Sequence, residues 1–199
     1  MSAAKTLLEL SGADLRPPPL AGSTLVIIDA QNEYLDGKLA LPGVAPALAA
    51  LGRLLGRARE AGAPVVHVQH KGRAGGLFDL EARGGAIIET VRPVGGEAVL
   101  HKALPNAFAH TDLDATLKKL GRSQIVLAGF MTHMCVSSTA RAALDLGYKA
   151  TVAADAAATR DLPDPMGGTI GAEALHRAAL AALADRFAIV AKVDDIAQT

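Results

Sequence analysis

The feature that most limits the fold of this chain is a regular alternation of short apolar runs with longer segments of helical periodicity. Runs rich in Val, Ile and Leu occur at 24–28, 64–69, 98–101, 124–128, 149–153 and 187–191. Between them, leucine spacing and capping residues predict helices at 46–60, 111–120, 134–146 and 171–184. Near-continuous apolar strands separated by helices are typical of a parallel sheet covered on both faces. We therefore predict a three-layer α/β/α, Rossmann-like sandwich with about six mostly parallel strands.

The strand–helix units fill most of the chain, so we predict one domain over residues 1–199. Residues 1–22, which include three consecutive prolines, are expected to form an N-terminal strap. Two connections carry no clear periodicity: the glycine-rich segment 70–97 and the loop 160–170. Long loops in compact domains are often lids or binding loops, although a plain surface excursion fits these segments equally well.

Charge and composition exclude several classes of function. The chain has 20 basic and 20 acidic residues, so it offers no basic surface for nucleic acid or for an anionic membrane. Its apolar runs are far shorter than the roughly 20 residues of a membrane span. We see no signal peptide within residues 1–10, and a single cysteine fits the reducing cytoplasm. A cytoplasmic location is therefore predicted.

Three chemically distinct side chains follow three of the predicted strands. Asp29 comes after the first strand, Lys102 after the third, and Cys135 after the fourth, where a helix begins. Ligands of open parallel sheets bind outside the carboxyl ends of the strands, so these residues are expected to meet at one edge. A carboxylate can accept a thiol proton, and an ammonium and a helix N-terminus stabilise the thiolate.

Each of these residues also has a less specific interpretation. A lone cysteine among apolar neighbours is usually an inert core residue, a strand-end Asp is usually a turn residue, and a strand-end Lys is usually solvated. Convergence on one edge of the sheet makes the three ordinary interpretations jointly less probable than a reactive site.

Three segments resemble the isochorismatase-like cysteine hydrolase superfamily, which includes nicotinamidases, N-carbamoylsarcosine amidases, ureidoacrylate hydrolases and isochorismatases. The first segment is 26–34, an apolar strand followed by Asp-x-Gln and an aromatic residue; the second is Lys102 with Ala107, Phe108 and Thr111 downstream; the third is 129–136, Gly-Phe-Met-Thr-His-Met-Cys-Val. The resemblance extends from about residue 25 to residue 196.

The resemblance implies a role for each matching residue. Cys135 would be the nucleophile, Asp29 the general base, and Lys102 the group that stabilises both the thiolate and the carboxylate. A cis peptide is implied at Phe130-Met131, with an oxyanion hole formed by the backbone N–H groups of Met131 and Cys135. Less specific candidates for contact with substrate are Gln31, Tyr34, Phe108, Phe130 and His133.

Departures from the family pattern bear on metals and cofactors. Nicotinamidases carry an Asp-x-His…His metal site after the second strand, whereas this chain has only His67 and His70 there, on opposite faces of a strand. We therefore predict no metal site, with His67 packed in the sheet and His70 at the loop. No dinucleotide or P-loop motif is found, and no cofactor is predicted.

The retained cysteine indicates chemistry at a carbonyl carbon, since isochorismatases proper usually have glycine at that position. We predict a hydrolase that cleaves a C–N bond of a small amide, carbamoyl or ureido substrate through a thioester on Cys135. Two alternatives stay open: a vinyl-ether hydrolase that uses Asp29 as an acid, and a non-catalytic ligand-binding or redox-responsive protein. The expected partners are the small-molecule substrate and further copies of the chain, as a homodimer or homotetramer, with neither nucleic acid nor membrane.

Overall fold

A six-stranded parallel sheet forms the centre of the molecule. In the computed structural model, which describes residues 3–199, the strands lie in the order β3-β2-β1-β4-β5-β8, and every neighbouring pair is parallel. Their bounds are β1 Thr24–Ile28, β2 Val65–His70, β3 Ala98–Lys102, β4 Gln124–Phe130, β5 Lys149–Ala158 and β8 Ala188–Ala191. The predicted sheet is thereby confirmed, with most boundaries shifted by a few residues.

Helices cover both faces of the sheet, which makes a three-layer α/β/α sandwich of one domain. They are α1 Leu7–Leu10, α2 Asn32–Leu35, α3 Val44–Glu60, α4 Leu113–Lys119, α5 Ser137–Asp145 and α6 Ala172–Arg186. A short antiparallel hairpin, β6 Leu162–Pro163 with β7 Thr169–Ile170, occupies the predicted loop at 160–170. The other predicted loop, 70–97, runs from the end of β2 to β3 with two single helical turns at Arg83–Gly85 and Glu89–Val91.

Alternate residues of each central strand contribute to two separate cores. On β1, Leu25 and Ile27 pack under α3, whereas Val26 and Ile28 pack with α4 and α5 on the other face. All four side chains are at most 1% exposed. Both faces of the strand are therefore apolar, as a sheet buried between two helical layers requires.

The segment before β1 lies outside the sheet. The Leu7 N–H donates to the Asp185 carboxylate on α6, and the Leu20 N–H donates to the carbonyl of Ala197 near the C-terminus. This is the region expected to act as a strap; its first two residues lie outside the described part of the chain.

Two predicted helices differ from their observed form. The helix expected to be capped by Thr111 begins at Leu113, although the Thr111 hydroxyl still accepts from the Leu113 N–H. The helix expected from Met134 is preceded by a wider π-helical turn at Thr132–Val136, in which the Val136 N–H donates to the Met131 carbonyl. Such turns insert one residue into a helical ladder and often occur at functional sites.

Candidate active site

Asp29, Lys102 and Cys135 come together at the carboxyl edge of the sheet. The Lys102 Nζ lies 2.7 Å from the Asp29 Oδ2 and 3.3 Å from the Cys135 Sγ. Exposure of the three residues is 0%, 2% and 3%, in the order of their numbers. The predicted convergence of an acid, an amine and a thiol is therefore present in the structure.

Local backbone geometry brings Asp29 and Cys135 towards each other. Asp29 has a positive φ of 50°, a conformation that short polar side chains tolerate better than most residues, and its N–H donates to the Val68 carbonyl. On the next strand Gly129 has φ 110°, and a Cβ there would lie 2.0 Å from the Ile28 carbonyl oxygen. Glycine is required at that position because β4 approaches β1 so closely.

The backbone before Cys135 contains the cis peptide that the family resemblance implied. The Phe130-Met131 peptide is cis, and Cys135 follows within the π-helical turn that leads into α5. An N-terminal helical turn presents unpaired N–H groups and a partial positive charge. This turn is the location at which the oxyanion hole of Met131 and Cys135 was expected.

Burial controls the ionisation of the acid and the thiol. Burial raises the pKa of Asp29, and the nearby Lys102 ammonium opposes that rise. Burial also raises the pKa of the Cys135 thiol to about 12; Asp29 adds to the rise and Lys102 opposes it. The expected lowering by the ammonium is present but smaller than the burial effect, so the thiol is protonated at neutral pH and the neighbouring carboxylate is a stronger base than an exposed one.

A fourth polar residue, His70, joins this cluster. Its Nδ1 lies 3.2 Å from the Lys102 Nζ, and burial together with the ammonium lowers the pKa of His70 to about 4. The sequence prediction assigned His70 to the loop, which is wrong: it is the last residue of β2 and pairs in register with Lys102. The predicted opposition of the two histidines is confirmed, since His67 points away and contacts Glu97.

Two of the five weaker candidates for substrate contact, Gln31 and Phe108, make other contacts within the protein, and their contact with substrate stays a prediction. The Gln31 amide is fully used within the protein: its Nε2 donates to the carbonyls of His70 and Gly85, and its Oε1 accepts from the His70 N–H. Phe108 stacks on Tyr148, which precedes β5 at the opposite edge of the sheet. Gln31 therefore holds the end of β2 in place, and Phe108 belongs to the packing beneath α4 and α5.

The other three predicted contacts lie near the reactive groups. Tyr34 is 3% exposed and packs against Phe130 and Phe78, with ring centroids 5.8 and 5.0 Å away. His133 is hydrogen-bonded through Nδ1 to Thr159, while its Nε2 is buried without a partner among the described residues. A role of Tyr34, Phe130 and His133 in substrate contact stays a prediction.

Aromatic side chains pack beside the cluster, and a cavity on the β5 side is lined by none of its three reactive residues. Phe78, from the 70–97 segment, packs its ring on both Tyr34 and His70 and so covers the β2 side of the site. This cavity, of about 260 Å³, opens beside Thr159 and His176. The His176 Nδ1 is hydrogen-bonded to the Thr132 hydroxyl, three residues before Cys135, although no sequence motif includes His176. The near-complete burial of the thiol means that substrate entry requires a covering side chain to move.

Residues suited to a metal are not grouped in this structure. Within residues 3–199 no cluster of three or more His, Cys, Asp or Glu side chains has the arrangement of a metal site. The same described residues contain no helix that is both long and apolar enough to cross a bilayer.

Comparison with known proteins gives a consistent result. The family model described as the isochorismatase domain matches residues 23–195. A secreted isochorismatase effector of Verticillium dahliae is 41% identical over 184 residues, which covers 90% of this chain and 94% of that protein. The crystal structure of an isochorismatase from Pseudomonas putida superposes with a TM-score of 0.93 at 43% identity, covering 98% of this chain and all of that one. That of N-carbamoylsarcosine amidase from Thermoplasma acidophilum gives a TM-score of 0.76 at 28% identity, covering 87% of this chain and 98% of that one.

Proposed function

This chain belongs to the isochorismatase family of hydrolases, and from that premise we propose that it cleaves a C–N bond of a small amide, carbamoyl or ureido compound. The observation that carries the proposal is the buried contact of Lys102 with both Asp29 and Cys135. The name of the similar N-carbamoylsarcosine amidase supports the same bond type.

In the first half-reaction, Asp29 accepts the proton of the Cys135 thiol as the sulfur attacks the carbonyl carbon. The raised pKa of Asp29 makes the carboxylate a better base for a thiol whose own pKa is high. Lys102 offsets the negative charge as it moves from oxygen to sulfur. The N–H groups of Met131 and Cys135 hold the oxyanion of the tetrahedral intermediate.

Departure of the leaving group completes the first half-reaction, and hydrolysis of the thioester then returns the enzyme to its starting state. Asp29 gives its proton to the leaving nitrogen, the C–N bond breaks, and a thioester remains on Cys135. Water then attacks the thioester carbon while Asp29 removes one of its protons. The acid product departs, and Asp29 returns the proton to the sulfur. These reaction steps need no metal or organic cofactor.

One observation favours a second candidate. The raised pKa of Asp29 also suits an acid that donates a proton, as vinyl-ether cleavage requires, and that reaction needs no thiol. Cys135 would then be a bystander beside Lys102. A cytoplasmic location and a homodimeric or homotetrameric state are proposed for the protein under either chemistry.

A hydrolysis screen with matched variants separates the two candidates. Wild type, Cys135→Ala and Asp29→Asn are assayed against small primary amides, N-carbamoyl amino acids, ureido acids and vinyl ethers. We expect turnover on a C–N substrate that falls by about 10³-fold or more in Cys135→Ala, as loss of a nucleophile does. Full turnover by Cys135→Ala with loss only in Asp29→Asn would instead establish the acid mechanism.

A further inference from the structure

His70 lies directly in the path of the lysine side chain. In the sheet order, β2 separates β3 from β1, and adjacent strands are about 4.8 Å apart. The ammonium of Lys102 must therefore cross the end of β2 to contact Asp29, which follows β1. The residue at the end of β2 is His70, the register partner of Lys102.

Three polar atoms surround the lysine ammonium, one for each of its protons. The Nζ forms an ion pair with the Asp29 Oδ2 at 2.7 Å and hydrogen bonds with the Cys135 Sγ at 3.3 Å and the His70 Nδ1 at 3.2 Å. An ammonium group only donates, so the Nδ1 of His70 must be the unprotonated nitrogen of a neutral ring. The lowered pKa of His70, about 4, is consistent with a neutral ring at physiological pH.

Two sets of contacts fix His70, one at its backbone and one at its imidazole ring. The Gln31 amide accepts from the His70 N–H at 2.8 Å and donates to its carbonyl at 2.9 Å, which fixes the backbone. The Phe78 ring packs edge-on against the imidazole with centroids 5.2 Å apart. A side chain clamped in this way is pre-organised to orient its neighbour.

We propose that His70 is a positioning residue: its imidazole Nδ1 takes one N–H of Lys102 and thereby directs the other two at Asp29 and Cys135. Without that acceptor, one ammonium proton has no partner in a buried site, and the lysine side chain gains other rotamers. The effect of His70 on turnover rests on the proposed function, whereas its effect on the lysine does not.

Two substitutions separate hydrogen bonding from packing. His70→Asn keeps an acceptor, because the Asn Oδ1 occupies nearly the position of the His Nδ1, but it loses the ring. His70→Phe keeps a ring against Phe78 but has no acceptor. We expect kcat within about 3-fold of wild type for Asn and a 10- to 100-fold loss for Phe, the range typical of residues that orient a reactive group. A structural role predicts the reverse order; that order, or equal activity of the two variants, would overturn the proposal.

A spectroscopic measurement on the substrate-free protein requires no turnover. In ¹⁵N-histidine-labelled wild type at pH 7, the His70 signal, assigned by its absence in His70→Asn, should show an unprotonated Nδ1 and a protonated Nε2. A ring protonated at Nδ1 cannot accept from Lys102, and this tautomer would overturn the proposal even if His70→Phe fails to fold. If no amide is hydrolysed but the expected tautomer is found, the proposed function fails while the placement of His70 stands; the alkylation rate of Cys135 then replaces kcat in the variant comparison.

Discussion

Two charge clusters lie on opposite faces of β2, at His67 and at His70. They shift the pKa of their carboxylates in opposite directions. His67 points to one face, where Glu97 accepts from His67 Nε2 at 2.9 Å, from the Val94 N–H at 3.0 Å and from two nitrogens of Arg59 at 2.8 and 2.9 Å. His70 points to the other face, towards the cluster of Asp29, Lys102 and Cys135.

The carboxylate of the candidate site has far fewer donors. Asp29 has the Lys102 ammonium 2.7 Å from its Oδ2, and neither of its buried oxygens has a partner with hydrogen-bond geometry among the described residues. Burial would raise the pKa of either acid. At the partly buried Glu97 the hydrogen bonds outweigh burial and the pKa falls to about 2, whereas at the fully buried Asp29 burial outweighs the Lys102 ammonium and the pKa rises.

The difference distinguishes a structural anion from a reactive one. A carboxylate with a full set of donors is stabilised in its charged form and has little tendency to accept a proton. A dry carboxylate with one cationic neighbour keeps a high proton affinity and is suited to general-base chemistry. The two acids therefore have different expected roles, because Asp29 is fully buried with few donors and Glu97 is partly buried with many.

The largest expected contrast is in activity. Asp29→Asn should lower kcat by about 10³-fold, because an amide cannot accept the thiol proton. Glu97→Gln should leave kcat within about 3-fold, since Glu97 touches none of the reacting groups. Steady-state kinetics on the best substrate from the hydrolysis screen measures both; comparable losses in the two variants would remove the distinction.

A smaller contrast is expected in stability. The pKa of Glu97 is depressed, so its contribution is present above its ordinary value of 4.5 and lost as pH falls towards about 2. Glu97→Gln should cost about 2 kcal/mol at pH 7, and the gap from wild type should close as pH falls from about 5 to 2. Urea unfolding at a series of pH values tests this, with Glu89→Gln, an exposed acid paired with Arg92, as the matched control. Stability curves that stay parallel for wild type and Glu97→Gln would contradict the assignment.

Strand ends were readable from the sequence because parallel strands place their carboxyl ends on one edge. The predicted strand 24–28 has the observed bounds. Because Asp29, Lys102 and Cys135 each follow a predicted strand, the same rule predicted that they meet. The cysteine motif also indicated the cis bond at Phe130-Met131 through family resemblance. The hydrophobic core could be predicted from period-two and near-continuous apolar patterns alone.

The remaining features depend on contacts that no local pattern encodes. The role of His70 follows from its pairing in register with Lys102, and the strand prediction stopped one residue short of it. Gln31 was assigned to substrate because it follows Asp29, yet its amide binds backbone 39 and 54 residues away. The thiol pKa was expected to fall beside an ammonium, and the extent of burial that reverses this was not visible in the sequence.

The most direct test of the account is rapid-quench mass spectrometry of the wild-type protein mixed with its best C–N substrate. We predict an adduct that equals the acyl part of the substrate, maps to the peptide containing Cys135, appears before product accumulates and then decays. Rapid product formation with no adduct on Cys135 at any quench time, or an adduct on another residue alone, would contradict the assignment of this thiol as the nucleophile.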